Sequence, residues 1–243
     1  MPALPDTISI LMPAYRLAGS IAANIDRVAA ATSVLGDVEI LVCDDGSDDG
    51  TGDAAAEAAA RHGNVTVLVH DHNQGKGAAL RSAYTASGGA VVVFLDGDLD
   101  LPPEQLPSFI ERFRSSGLDG LVGSKRAAMS ATDYPLLRRI LSSAYTTTVR
   151  LLFRLPVRET QTGLKVFTRA ALDDVMPALQ VSRYTFDIEL LVRMSRLGRR
   201  LAESPVTLGP GAAATGLSLG TLVEMVRDTV LVWVRSFRWP KNP

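Results

Sequence analysis

Short β-branched runs alternate with alanine-rich amphipathic stretches through the first half of the chain. Apolar runs at 8–12, 38–43, 65–69 and 91–95 read as strands, and segments at about 19–33, 51–61 and 76–87 read as helices. The strands are apolar at nearly every position rather than at every second one, so both of their faces are expected to be covered. Strands of that kind separated by helices predict an α/β fold, Rossmann-like, with a mainly parallel central sheet flanked by helices. Pro102-Pro103-Glu104 opens a further helix, and 118–124 reads as another strand. In such sheets ligands lie beyond the carboxyl ends of the strands. Polar clusters stand at those ends: Asp44-Asp45-Gly46-Ser47, Asn73-Gln74-Gly75-Lys76-Gly77, and the acidic run from Asp96 to Asp100. Three clusters on one edge make a site.

The second half has a different character. Segment 134–158 carries Arg138, Arg139, Arg150, Arg154 and Arg158 and no acid, with Leu137, Ile140, Leu141, Tyr145, Val149 and Leu152 at helical spacing. From 217 to 238 a second amphipathic helix places Leu219, Leu222, Val223, Val226, Val230, Val234 and Phe237 on one face. It ends in Trp233, Arg235, Arg238, Trp239 and Lys241, a pairing of tryptophan and basic residues that suits a bilayer interface. The absence of acid around the arginines of 134–158 likewise favours an anionic surface over a solvated face. Segment 209–220 reads as an uncharged loop.

At 243 residues with 47 % hydrophobic positions, the chain has ample material for one large core. Its apolar runs fall well short of the roughly 20 residues a membrane-spanning helix needs. The first 15 residues lack a basic n-region, so no signal peptide is expected. One cysteine, Cys43, in an apolar strand reads as a buried small residue and fits a reducing cytoplasm. A net charge of −1 gives no support for nucleic-acid binding, and three histidines with one cysteine offer no zinc spacing.

The most informative chemistry is Asp96, Asp98 and Asp100 at the end of an apolar strand. Carboxylates this close repel one another, and a divalent cation held by oxygen ligands relieves the repulsion. Mg²⁺ or Mn²⁺ on the Asp96/Asp98 pair, with Asp100 as a third ligand, would neutralise charge on a departing diphosphate. An EF-hand is excluded, because Leu101 and Pro107 stand where its glycine and glutamate belong. Lys76 lies between two glycines at a helix start, where free N–H groups and an ammonium suit phosphate, although a solvated lysine remains open there. Asp44, Ser47 and Asp48 read as a tight Asx-type turn.

Taken together these blocks resemble the family 2 glycosyltransferases of GT-A fold. The carrying residues are 8–15 with its Pro13-Ala14-Tyr15 turn, Asp44 to Thr51, Asn73 to Arg81, and the Asp96-Gly97-Asp98 triplet. Gly123-Ser124-Lys125-Arg126, Thr160 to Phe167 and Arg183 to Leu191 are similar to the dolichyl- and polyprenyl-phosphate glucose and mannose synthases. The resemblance implies nucleotide contacts from Pro13, Ala14, Tyr15, Asp45, Lys76, Asp96, Gly97 and Asp98, with Asp45 accepting from a base N–H. It implies that Lys125, Arg126, Arg138 and Ser142 receive the acceptor's lipid phosphate, and that Gln161, Asp187 and Glu189 line or brace the sugar and acceptor site. Asp187 and Glu189, two apart on a helix, share no face, so only one is expected to point inward. The chain departs from the family at Tyr15-Arg16-Leu17, which lacks an acid, at Gly216-Leu217-Ser218-Leu219, which lacks a lysine, and at Glu159 in place of aspartate.

The resemblance therefore implies an inverting, metal-dependent glycosyltransferase that moves a hexose from a nucleotide diphosphate sugar to polyprenyl phosphate. UDP-glucose or a UDP-N-acetylhexosamine is favoured as donor, with GDP-mannose allowed. The expected organisation is a glycosyltransferase domain over 1–215 and a membrane-peripheral amphipathic helix over 216–243. The expected location is the cytoplasmic, inner face of a membrane, with a separate membrane protein as a candidate partner. Two alternatives stay open. One is a glycosyltransferase acting on a hydroxyl acceptor, a saccharide or glycolipid, which needs a placed general base such as Asp187 or Glu189. The other is a non-catalytic nucleotide-sugar-binding subunit that anchors a membrane partner.

Overall fold

Seven strands form one sheet in the order β3-β2-β1-β4-β6-β5-β7 in the computed structural model. It describes residues 7–125, 136–183, 185–209 and 219–239, with side chains at 136–144 and 219–223 left aside. The elements run β1 (Ile8–Ala14), α1 (Ile21–Thr32), β2 (Val38–Asp44), α2 (Thr51–Ala59), β3 (Val65–Val69), α3 (Lys76–Ala86), β4 (Val91–Leu95), α4 (Leu106–Ser116) and β5 (Gly120–Ser124). They continue with α5 (Leu136–Phe153), β6 (Leu164–Thr168), α6 (Arg169–Asp173), α7 (Phe186–Arg196), β7 (Leu201–Pro205) and α8 (Leu219–Ser236).

The first four strands are mutually parallel, as expected from the strand–helix alternation. Two strands were not expected. β6 is inserted antiparallel between β4 and β5, and β7 adds to the far edge parallel to β5. The side chains of β1 divide between two cores: Ile8, Ile10 and Met12 join α1, α2 and α4, whereas Leu11 joins the layer under α3, α6 and α7. Burying each such side chain contributes roughly 1.5–3 kcal/mol, and this two-sided covering explains why the strands are apolar throughout. Cys43 lies buried among them, where burial first, and Asp45 and Asp44 next, push its thiol up to about 12. It stays a protonated, inert packing residue.

Helix α7 corrects an expectation. Every residue from Phe186 to Val192 is buried, so Asp187 and Glu189 are both inside although they leave the helix on different sides. A helix threaded through the core has no solvent side over that stretch. Helix α8 docks on α5 and α7 through Met225, Thr229, Val232 and Ser236. Tyr145 Oη lies 2.8 Å from Thr229 Oγ1, and the Arg193 guanidinium stacks 3.8 Å from the Trp239 ring centroid. Its other side leaves Val226, Val230, Val234 and Phe237 exposed. Among the described residues no helix is long and apolar enough to cross a membrane.

Candidate active site

Strand order reverses between β1 and β4, because β1 is followed outward by β2 on one side and faces β4 on the other. Ligands of open α/β sheets bind outside the carboxyl ends of the strands at such a point. A cleft of about 620 Å³ opens there, lined by Pro13, Ala14, Tyr15, Leu17, Asp45, Asn73, Gly75, Lys76, Asp96, Gly97, Asp98 and Arg183. Its loops are stitched by main-chain bonds: Asp45 N–H donates to Ala14 O at 2.8 Å, and Gly97 N–H to Pro13 O at 3.1 Å. Buried Asn24 donates from Nδ2 to Gly97 O at 2.8 Å and fixes the acidic turn from below. All the residues expected to contact the nucleotide therefore converge on one cleft.

Lys76 is ion-paired rather than freely solvated. Its ammonium lies 2.6 Å from Asp96 Oδ1 and 3.7 Å from Asp187 Oδ2. Burial alone would lower its pKa, but the carboxylates of Asp96 and Asp187 outweigh burial and hold it above the ordinary lysine range. Burial likewise opposes ionisation of Asp96, and Lys76 overcomes it, so Asp96 sits below the usual carboxylate range. Behind this pair Lys165, 1 % exposed, donates to Asp187 Oδ1 at 2.8 Å and to Thr162 O at 2.5 Å. Burial lowers the Lys165 pKa, with Asp187 opposing. Lys76, Asp96, Asp187 and Lys165 thus form an alternating charge chain that runs from the half-buried cleft wall into the core.

The Lys76 loop takes its shape from Gly75, whose φ of +99° is open to glycine and strained for other residues. A β-carbon there would also stand 2.4 Å from Ser182 O, which accepts the Gly77 N–H at 2.7 Å. We expect Gly75→Ala to cost about 1–3 kcal/mol of stability from backbone strain alone and to displace Lys76. Chemical denaturation measures the first effect, and loss of nucleotide affinity the second.

Asp45 holds the other side of this loop. Its carboxylate accepts from Gln74 N–H at 3.0 Å and Gly75 N–H at 2.7 Å, with His70 Nδ1 at 2.8 Å. Three of its about four acceptor sites are taken, leaving at most one for a base N–H. His70 also lies 2.8 Å from Ser82 Oγ through Nε2. Asp44 closes the expected turn by accepting from Ser47 Oγ at 2.5 Å, whereas Asp48 pairs instead with exposed Arg16 at 2.8 Å.

The metal expectation is refined. Asp98 is exposed in the cleft and, among the described residues, accepts only the Asp100 N–H, at 3.2 Å, whereas Asp96 pairs with Lys76 through Oδ1. Desolvation in the cleft, and then Asp96, raise the Asp98 pKa. Among the described residues no group of three or more acidic, histidine or cysteine side chains is arranged to hold a metal ion. The turn carries Asp100 one residue past the buried Leu99, whose φ is +53°. The donor set that remains, an open carboxylate beside a second one with space for phosphate oxygens and water, suits Mg²⁺ or Mn²⁺.

The other expected residues divide. Lys125, at the end of β5, lies within the field of Asp96, Asp100 and Glu159. Gln161 sits beside them, its N–H directed to the Glu159 carboxylate, whose pKa burial raises. Arg126 lies outside the described residues, as do the side chains of Arg138 and Ser142 and the 210–218 part of the late loop. Asp187 braces Lys165 and Lys76 without lining the cleft. Glu189 is a correction: it faces away, accepting from Gln180 and Val181 N–H at 2.9 and 2.8 Å and pairing with Arg193 at 2.9 Å. A buried carboxylate so occupied holds a loop. Asn73, from the polar cluster after β3, lines the cleft as expected, whereas sequence reasoning gave no site role to Arg183 in the cleft or to His70 and Lys165 behind it; a lysine inside an otherwise apolar run was the available signal for Lys165.

Comparison with known proteins agrees with this geometry. Residues 9–176 match the family described as Glycosyl transferase family 2. The chain is 34 % identical over 225 residues to glycosyltransferase AglD of Haloferax volcanii, covering 91 % of this chain but 35 % of that protein, about a third of its length. It is 28 % identical over 236 residues to undecaprenyl-phosphate mannosyltransferase of Micrococcus luteus, covering 94 % of each. Among solved structures, glucosyl-3-phosphoglycerate synthase of Mycobacterium tuberculosis in complex with Mn²⁺, UDP and phosphoglyceric acid aligns with TM-score 0.71 at 23 % identity, over 97 % of this chain and 80 % of that one. The fold is thus GT-A-like.

Proposed function

The chain belongs to glycosyltransferase family 2, and from that premise we propose that it transfers a hexose from a nucleotide diphosphate sugar to a polyprenyl phosphate, with inversion. The observation that carries this reading is the convergence of Pro13–Tyr15, Asp45, Lys76 and Asp96–Asp98 on one cleft at the sheet's switch point. The name of the Micrococcus relative supports the acceptor. UDP-glucose or a UDP-N-acetylhexosamine is the favoured donor, with GDP-mannose allowed.

Asp98 and Asp96 would hold Mg²⁺ or Mn²⁺, which supplies neutralisation of the charge that develops on the departing diphosphate. Asp45 fixes the 73–75 loop against the nucleotide end of the cleft, and the Lys76 ammonium, held charged, adds positive charge beside Asp96. A lipid phosphate oxygen attacks C1 as the C1–oxygen bond to the diphosphate breaks. Such a phosphate is largely ionised near neutral pH, so it needs positioning rather than deprotonation. We assign that task to Lys125, which lies within the field of Asp96 and Glu159, with Arg126, Arg138 and Ser142 as its proposed companions.

A hydroxyl acceptor would need a base, yet Asp187 and Glu189 are spent on Lys165, Lys76, Arg193 and the 180–181 main chain. That observation favours the phosphate acceptor. We further read 1–215 as the catalytic body and 216–243 as its membrane-facing appendage, because α8 exposes Val230, Val234 and Phe237 beside Arg235 and Arg238. The test is incubation with radiolabelled UDP-sugars or GDP-mannose, Mg²⁺ and polyprenyl phosphate. Organic-extractable label is the expected outcome; no extractable label with any donor defeats the acceptor assignment.

A further inference from the structure

Helix α5 carries a second concavity, apart from the cleft. It measures about 250 Å³ and is lined by Thr146, Thr147, Arg150 and Arg158. No residue of this set lines the cleft at the switch point. Basic side chains on a helix are usually just solvated, but three features separate this group from that case.

First, both arginines face the same hollow as two threonines. Guanidinium groups flanked by hydroxyls are the donor set that a phosphate oxygen cluster accepts from. Second, neither guanidinium is held by a carboxylate among the described residues, and 134–158 contains no acid. Glu203, which does approach Arg158, is taken up by the main-chain N–H groups of Arg158 and Glu159. Third, exposed apolar side chains follow Arg150 directly along the chain. Leu151 is 73 % exposed and Leu152 36 %, and Arg154 is exposed just beyond them. A free anion in water gains nothing from two exposed leucines, whereas a phosphate presented at the boundary of an apolar phase does.

We propose that Thr146, Thr147, Arg150 and Arg158 form a binding site for the phosphate of an anionic phospholipid headgroup, with Leu151 and Leu152 entering the adjoining acyl boundary. The site rests on the reading that the protein works at a membrane surface, and it adds to that reading a defined lipid class and a defined pocket. The Tyr145–Thr229 contact ties α5 to α8, so pocket and exposed apolar face belong to one packed unit.

The test is co-sedimentation of the full chain with vesicles of phosphatidylcholine alone or mixed with phosphatidylglycerol. It is run beside turnover in detergent on a short-chain polyprenyl phosphate. The wild type should prefer the anionic vesicles. R150Q/R158Q should lose roughly tenfold or more of that preference while its weaker binding to phosphatidylcholine and its detergent turnover stay unchanged. Thr147→Val keeps every charge and should lose part of the preference. Equal partitioning of R150Q/R158Q and wild type into anionic vesicles overturns the site but leaves the membrane reading standing. A fall in detergent turnover alongside vesicle binding overturns it in favour of an acceptor-phosphate site. Stabilisation by inorganic phosphate without any vesicle preference overturns it in favour of a free-anion site. Failure of the wild type to bind either vesicle defeats the membrane reading and this site together.

Discussion

Asp98→Ala should lower turnover by about 10²–10³-fold and leave the fold intact. The expected size follows from removing charge stabilisation that acts on the leaving diphosphate, where a single stabilising group is commonly worth about 10²–10³. The fold should survive because Asp98 is exposed and its only described hydrogen bond is from the Asp100 N–H within its own turn. Asp96 makes a poorer test. It is bound to Lys76, so Asp96→Ala disturbs the charge chain as well as the cleft. Turnover measured with saturating Mn²⁺, together with an unchanged thermal midpoint, checks the prediction. Activity retained by Asp98→Ala would remove this carboxylate from the chemistry.

Asp187→Ala should destabilise the protein by about 3–5 kcal/mol, because it strands the ammonium of Lys165 in the core. For a chain of this size that is a fall in thermal midpoint of roughly 6–20 °C. Lys76 loses its second carboxylate too, although Asp96 at 2.6 Å remains. The double variant Lys165→Met/Asp187→Leu should recover most of the loss, since a buried ion pair replaced by apolar residues of similar size is often neutral in stability. It should still turn over slowly, because Lys76 is no longer held from behind. A thermal midpoint of Asp187→Ala within about one degree of wild type would show that Lys165 finds water or another partner, contrary to the buried pair.

The nucleotide half of the molecule was legible because each signal there is local. An apolar run ends, a polar cluster follows, and the parallel sheet carries every cluster to the same edge. β3 and β4 match the expected bounds, and β1, β2 and β5 differ by one or two residues at an end. The rest depends on pairing between distant residues. β6 hides Lys165 at its second position, and a charge within an apolar run argues against a buried strand until its partner on α7 is known. β7 reads Leu-Ala-Glu-Ser-Pro, a poor strand pattern that an edge position tolerates. The same distance hid the His70 contact with Asp45 and the diversion of Glu189 to the 180–181 main chain. The acidic pair was visible in the sequence; the fact that Lys76 claims Asp96 and leaves Asp98 open was not.

That division of labour between the two aspartates is tested most directly by Mn²⁺ electron paramagnetic resonance in the presence of UDP. Adding wild-type protein to a Mn²⁺ and UDP mixture should deplete the free-ion signal beyond what UDP alone achieves, and Asp98→Ala should return it to the UDP-only level. Equal depletion by Asp98→Ala and wild type would contradict the account, because the cation would then be held without Asp98.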